Sequence, residues 1–467
     1  MWRLFYNILL LALSPLIVAI LLAKPRCRPG LPQRLGLEEG SFGLFRLFGF
    51  SEQNKQNKPD QPNKPNQPVI WIHAVSLGEV VAVTPLVKEL HSRHPAYRLV
   101  VSTVTETGRE AVEQRLAGVA EHCYAPLDFP WVVSRFIERL QPTLYLFVET
   151  ELWPNLLWQL RRHRVPTALV NGRLSSRSFA RQQWAPVRSF YRTMLQTLSL
   201  CLMQSDRDVD RIVALGAEAT RVRRTGNIKF DQPIPSVAES DMTRVHLGLQ
   251  DTEQLFVAGS THPGEEEILV ECYRALVAHC PSAVLLLAPR HIERAESVEA
   301  MIRAQGLAAQ RRSTIGQAGV LHAAGPRVVV LDSRGELAAI YREAVVAFVG
   351  GTLVPVGGHN LLEPAQWAKP VLFGRYTDHC AEIADLLLQA EGGRRVFQAE
   401  ELTQQVVTLF SDREERERMG RSARQVVEQN QGALQRTLEA IDRLLTPRQG
   451  ISGSSLADRS LPLVAGR

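Results

Sequence analysis

The stretch that most constrains the fold is Gly350–Gly374, GGTLVPVGGHNLLEPAQWAKPVLFG. It follows an apolar run, Val345–Val349, that reads as a buried parallel strand. Gly350, Gly351, Gly357 and Gly358 crowd the loop after it, where the lack of a Cβ lets backbone N–H groups approach a ligand. A helix is predicted from near Asn360–Glu363, with Asn360 and Glu363 at capping-box spacing and Pro364 suited to a first turn. Pro370–Gly374 reads as a second short strand. Strand, glycine loop and helix start together suit an anion such as phosphate. A glycine loop alone is more often a tight turn, so the weight lies in its company.

The same strand–helix alternation fills most of the chain. From Pro68 onward, strands are predicted at 69–74, 98–105, 144–148, 166–170 and 198–204, with helices at 80–94, 130–140 and 153–164. Ser205 opens a further helix, with Asp208 at capping-box spacing. After a Pro-containing connector, 231–253, the pattern restarts with strands at 255–259, 283–288, 327–331 and 345–349. Helices at 264–280, 292–306 and 336–343 alternate with them, and 401–446 reads as helical. This predicts an α/β chain with two mostly parallel sheets: one domain over 69–230, a second over 254–446, and a cleft between them. A length of 467 residues also exceeds one hydrophobic core.

Residues 4–23, LFYNILLLALSPLIVAILLA, carry no charge and are long enough to cross a bilayer. Trp2 and Tyr6 suit the interface. Lys24, Arg26, Arg28 and Arg34 follow, against Arg3 and the amino terminus in front, which places the remainder in the cytoplasm by the positive-inside rule. No small-x-small cleavage site precedes these charges, so an uncleaved anchor over 1–23 is expected; Pro15 leaves a helix lying in the interface open. The segment 24–50 carries Phe42, Phe45, Phe48 and Phe50 and reads as membrane-proximal. SEQNKQNKPDQPNKPNQP, within a linker at 51–68, cannot bury a core. The tail 447–467 reads as disordered.

Composition excludes several classes. The formal charge of +6 is mildly basic and suits an acidic ligand or an anionic membrane. No zinc-finger spacing, RNP-like motif or long Lys/Arg run points to nucleic acid. The six cysteines are scattered without a CxxC pair, as expected of reduced thiols in the cytosol. No metal site or obligate protein partner is suggested.

Ligands of open α/β sheets bind beyond the carboxyl ends of the strands. The polar clusters lie there: His73–Glu79, Glu149–Asn155, Gly259–His262, Pro289–His291, Asp332–Glu336 and the glycine loop. Each has a bland reading: Glu79 as a helix-start residue, Glu149 and Glu151 in ion pairs with Arg161 or Arg173, Arg290 as a surface arginine. Their joint recurrence at ligand-binding edges is harder to explain by packing.

The motifs HAVSLGE, ETELWPN, NGRLSSRS, GNIKFD, GSTHPGEEE, APRHIERA and GGHNLLEP, in this order over roughly 35–445, resemble the 3-deoxy-D-manno-octulosonic acid (Kdo) transferase family of lipopolysaccharide synthesis. The resemblance implies a GT-B fold, with two Rossmann-like domains, and transfer of Kdo from CMP-Kdo to the lipid A precursor with inversion and no metal. It implies a place at the cytoplasmic face of the bacterial inner membrane. By motif, Glu79 matches the general base, and Glu149 and Lys229 match positions that stabilise the transition state. The CMP site matches Pro289 and Arg290, then Arg334, Gly335 and Glu336, then Asn360, Leu361, Leu362 and Glu363. Two departures stand out. Arg334 replaces the family's usual Met, and Asp378-His379-Cys380 replaces its Asn-Phe.

The residue chemistry agrees with those roles. A carboxylate can take the proton of an attacking hydroxyl. Lys229 and Arg290 can stabilise the charge gained by departing CMP. Arg173, Arg177, Arg181, Arg188 and Arg192 suit lipid phosphates, or form a solvated helix face. The alternatives are another GT-B nucleotide-sugar enzyme, which would share the glycine loop but not the full motif set, and a membrane-tethered nucleotide-binding module without catalysis.

Overall fold

The computed structural model describes residues 1–23, 30–36, 67–232, 244–315 and 326–445. The Phe42–Phe50 aromatics, linker residues 51–66, connector residues 233–243 and the tail 447–467 lie outside the described residues. The chain divides into two compact units: Met1–Ile228 with Ala433–Arg467, and Lys229–Gly432.

The first unit is built on seven parallel strands: β1 (Val69–His73), β2 (Arg98–Thr103), β3 (Glu121–Tyr124), β4 (Pro142–Val148), β5 (Thr167–Gly172), β6 (Leu200–Met203) and β7 (Val222–Arg224). Their spatial order is β3-β2-β1-β4-β5-β6-β7. β1 is buried on both faces, as its unbroken apolar run requires. Ile70 and Ile72 pack into one core with the helix Leu77–Arg93, while Trp71 packs with Tyr145 and Phe147 into the other. Each such side chain contributes about 1.5–3 kcal/mol by leaving water. Chain order reverses between neighbours β1 and β4, so their carboxyl ends flank the sheet's topological switch point.

The second unit repeats the plan with β8 (Gln254–Thr261), β9 (Ala283–Pro289), β10 (Ala308–Arg311), β11 (Arg327–Val330), β12 (Ala344–Val349), β13 (Val371–Phe373) and β14 (Gly393–Arg395). The order is β10-β11-β9-β8-β12-β13-β14, again all parallel. Here the switch point lies between β8 and β12, and the glycine loop leaves the end of β12.

The expected elements form with boundaries shifted by a few residues, with two larger differences. The stretch 401–446, expected to be helical, is three helices, Ala399–Ser411, Arg413–Asn430 and Ala433–Leu445. Asp412 caps the second by accepting from Glu415 N at 3.0 Å, and Gly432, at φ +87°, makes the break before the third. That third helix, expected with the second domain, belongs to the first unit, where Ala433, Leu438, Ala440 and Ile441 join the core around β1.

Candidate functional site

In the first unit, Glu79 lies in the first turn of the helix Leu77–Arg93, just beyond β1. Its carboxylate accepts from Val75 N at 2.8 Å and from Ser76 Oγ at 3.0 Å. It is half-buried, and loss of water, reinforced by the nearby Glu149 and Glu151, pushes its pKa up to about 7. The helix-start contacts and a carboxyl titrating near neutrality therefore reside in one group. Glu151 is raised too, first by burial and then by Glu149. The three carboxylates, two of them from the loop after β4, thus gather at the switch point.

The backbone beside them is strained. Glu149 holds φ +56°, its N–H donating to Val170 O at 3.0 Å; Asn171, at the end of β5, holds φ +54°. Non-glycine residues pay for this geometry, and such strain clusters at functional loops. Asn171 is pinned on both sides: its side-chain oxygen accepts from Ile228 N at 3.1 Å and its carbonyl from Gln204 Nε2 at 2.9 Å. His73 is fully buried, with Nδ1 2.9 Å from Ser102 Oγ and its ring edge-on to Trp153. Burial lowers its pKa to about 4, so it is neutral at pH 7.

Lys229 sits in a 3-10 turn, Ile228–Asp231, where the second unit begins. Its neighbours are anchored: Ile228 in the core around β1, Phe230 in a core of the second unit.

In the second unit the glycine loop differs from the sequence expectation. Its first amides serve a protein carboxylate. Glu265, fully buried, accepts from the N–H groups of Gly351 (2.7 Å), Thr352 (3.0 Å), Leu353 (2.9 Å) and His262 (2.9 Å). Gly350 has to be glycine: a Cβ there would lie 2.5 Å from Ser260 O and 2.7 Å from Thr261 Cα. The helix expected after the loop is a short turn, Leu362–Gln366. Asn360 Oδ1 accepts from Leu362 N at 3.1 Å, and Asn360 Nδ2 donates to Glu363 Oε1 at 3.2 Å. Asn360 and Glu363 are thus linked side chain to side chain, without the backbone reciprocity of a capping box. Leu361 and Leu362 are core residues.

The remaining residues expected at the CMP site divide in two. Pro289 ends β9, buried, and exposed Arg290 follows with its N–H donating to Thr261 O at 3.0 Å. Glu363 is raised by burial, against the opposing influence of Asn360 and Arg290. Arg290 also helps lower His359, which burial first of all brings to about 4. Arg290, Asn360 and Glu363 are therefore neighbours. Arg334, Gly335 and Glu336 stand in the loop after β11. The Arg334 side chain is exposed and pairs with Glu293 at 3.0 Å, so it is turned to the surface. Glu336 accepts from Ser333 Oγ and lies 3.5 Å from Arg312. Asp378 and His379 are exposed and Cys380 is buried; His379 N donates to Gly357 O at 2.8 Å, bracing the loop.

Sequence reasoning placed His262 at a strand end but did not pair it with His359; their Nε2 atoms are 2.8 Å apart, with rings stacked within 4° of parallel. One ring donates and the other accepts, so their tautomers are complementary. The GSTHPGEEE and GGHNLLEP motifs held both residues, but only the pairing of β8 with β12 brings them together.

Residues 44–232 match the family model described as 3-Deoxy-D-manno-octulosonic-acid transferase (kdotransferase). Over 442 residues the chain is 36% identical to a 3-deoxy-D-manno-octulosonic acid transferase of Haemophilus influenzae, covering 94% of this chain and 98% of that one. A 3-deoxy-D-manno-octulosonic acid transferase of Bordetella pertussis is 35% identical over 386 residues, 80% of this chain and 86% of the relative. Among solved structures, the UDP-GlcNAc 2-epimerase of Neisseria meningitidis bound to UDP-GlcNAc superposes with a TM-score of 0.52 at 13% identity, over 80% of this chain and all of the other. That likeness concerns the fold alone, the paired Rossmann-like units of GT-B enzymes.

Proposed function

This chain belongs to the 3-deoxy-D-manno-octulosonic acid transferase family, and from that premise we propose that it transfers Kdo from CMP-Kdo to a hydroxyl of the lipid A precursor, lipid IVA, with inversion and without a resident metal. The reaction takes place at the cytoplasmic face of the inner membrane, where the apolar N-terminal helix holds the enzyme. Glu79 takes the acceptor proton as the oxygen attacks the anomeric carbon and the bond to the CMP phosphate breaks. One displacement assisted by one base, with no covalent intermediate, inverts that carbon. Glu149 and Lys229 stabilise the developing charge. Arg290 meets the departing phosphate, and Asn360 and Glu363 orient the nucleotide, with Pro289, Leu361 and Leu362 shaping its walls. Arg334, Gly335 and Glu336 contribute through backbone, since the Arg334 guanidinium is engaged with Glu293.

The observation that carries this reading is the Glu79 carboxyl, raised to about 7 beside two other carboxylates at the β1–β4 switch point. A base titrating near the working pH combines a large ionised fraction with good proton affinity. Purified enzyme incubated with CMP-Kdo and lipid IVA should yield a product heavier by one or more Kdo units in mass spectrometry. Turnover only with a UDP-sugar would replace this reading with another GT-B activity. Donor binding without product would leave a binding module.

A further inference from the structure

The N-terminal helix Trp2–Ala23 is fastened to the first unit by its amino-terminal turns. Tyr6 Oη donates to Asp128 Oδ2 at 2.9 Å, and Asn7 and Asn155 exchange amide hydrogen bonds of 3.1 and 2.8 Å. Trp2 Nε1 donates to Ser189 Oγ at 3.0 Å, and the Arg3 guanidinium lies 5.2 Å from the centroid of the Trp158 ring. Asp128 also accepts from the N–H groups of Asn155 and Leu156, so this latch ends on the helix that follows the loop of Glu149 and Glu151.

The chain then returns to the same place. Leu127, next to Asp128, donates its N–H to Arg34 O at 2.8 Å; Gln33 accepts from Tyr124 N at 3.0 Å, and Leu31 is buried. Tyr6 and Arg34 are therefore tied to adjacent residues, and the helix is an excursion between them. Its 22 residues measure about 33 Å. The seven peptide links from Ala23 to Gly30 reach at most about 25 Å.

These lengths decide between topologies. A spanning helix with Trp2 across the bilayer from the first unit would pull Tyr6 and Asn7 off Asp128 and Asn155. A spanning helix with Trp2 on the near side would leave Ala23 beyond a hydrocarbon core of about 30 Å, which the seven links cannot recross. They would also carry Lys24, Arg26 and Arg28 through it with backbone groups unpaired. A helix lying in the interface meets both constraints and keeps every flanking cation on one side, which satisfies the charge bias without a crossing.

The surface beside the latch suits lipid. Leu4, Phe5, Ile8, Leu11, Leu16 and Ile20 are exposed along the helix. Trp131, three residues after Asp128, and Trp184, five before Ser189, are 53% and 68% exposed; indoles favour the headgroup level. Arg188 and Arg192, on the same helix as Ser189, offer charge to anionic headgroups. We propose that the N-terminal helix lies in the plane of an anionic membrane surface, both ends on the side of the catalytic units, latched through Asp128 and Asn155. It thereby sets the height of the loop of Glu149 and Glu151 above the lipid.

The test uses the full chain carrying Cys27→Ser and Cys280→Ser, with single nitroxide-labelled cysteines at Phe5, Leu9, Leu16 and Ile20, exposed positions that share one face of the helix. It is reconstituted in phosphatidylethanolamine–phosphatidylglycerol vesicles. All four labels should report a similar shallow depth, about 5–10 Å into the headgroup–acyl boundary. Leu9 and Leu16 deep in the bilayer with Phe5 and Ile20 near opposite surfaces, or all four labels in water, would overturn the proposal. Independently, an N-terminal epitope should be cleaved by protease in inside-out vesicles and protected in spheroplasts; the reverse pattern contradicts it. Neither readout involves sugar transfer, so failure here leaves the proposed reaction standing.

Discussion

Glu79 and Glu265 occupy corresponding places: each follows the strand at its sheet's switch point, β1 in one unit and β8 in the other. Both lose water, and burial raises the pKa of each. Their partners differ. Glu265 accepts four amide N–H groups, which fill its two oxygens and weld the glycine loop to the end of β8. Glu79 accepts one amide and one hydroxyl, and stands among carboxylates that favour its protonated form. Burial alone therefore does not make a base. A carboxylate with its acceptor capacity filled is a structural plug, and one with capacity left can take a proton.

The contrast can be broken by substitution, beginning with the largest effect. Glu79→Gln should lower turnover about 10²- to 10⁴-fold while donor binding by calorimetry is unchanged. Because the folded pKa of Glu79 lies above its unfolded value, the native state binds more protons between about 4.5 and 7, so this group's stabilisation is lost as pH rises through about 7. The variant's Tm at pH 8 should accordingly equal or exceed that of the wild type. Glu265→Ala should do the opposite and destabilise. It leaves four amide N–H groups without their acceptor, a loss of about 1–3 kcal/mol for each that stays out of water, read in denaturant melts. A fully stable Glu265→Ala that lost donor binding would make that carboxylate part of the site.

Arg290→Ala should weaken CMP-Kdo binding by about 10- to 150-fold, corresponding to about 1.5–3 kcal/mol for a charge-assisted contact; unchanged affinity would remove it from the donor site. Arg334→Ala, whose guanidinium faces Glu293, should alter donor affinity within about twofold, the scale of a surface substitution. A loss matching that of Arg290→Ala would show that Arg334 swings inward on binding.

The central strands were legible because their residues form unbroken apolar runs: VIWIH in β1, AVLLLAP in β9, AVVAFV in β12. The edge strands were not. β3 reads EHCY, β7 VRR, β10 AAQR and β14 GRR, too short and too polar for either period. The candidate base was legible as a motif, but its titration near neutrality depends on Glu149 and Glu151 arriving from β4. The glycine loop was legible as a loop, but the carboxylate that takes its first amides was not. That residue, Glu265, precedes Gly351 by 86 positions, and the Glu265–Glu267 run reads locally as a helix start. Local pattern identifies which residues approach a strand end; only the strand order says which of them meet.

The most direct test of the account is the pH dependence of kcat/KM for transfer, measured for the wild type and for Glu79→Gln. The wild type should lose activity below an apparent pKa near 7, because the free enzyme's base must be ionised. The residual activity of Glu79→Gln should lack that limb. A limb that persists unshifted in the variant, or a wild-type profile flat from pH 8 down to 5, would contradict the assignment of Glu79 as the base.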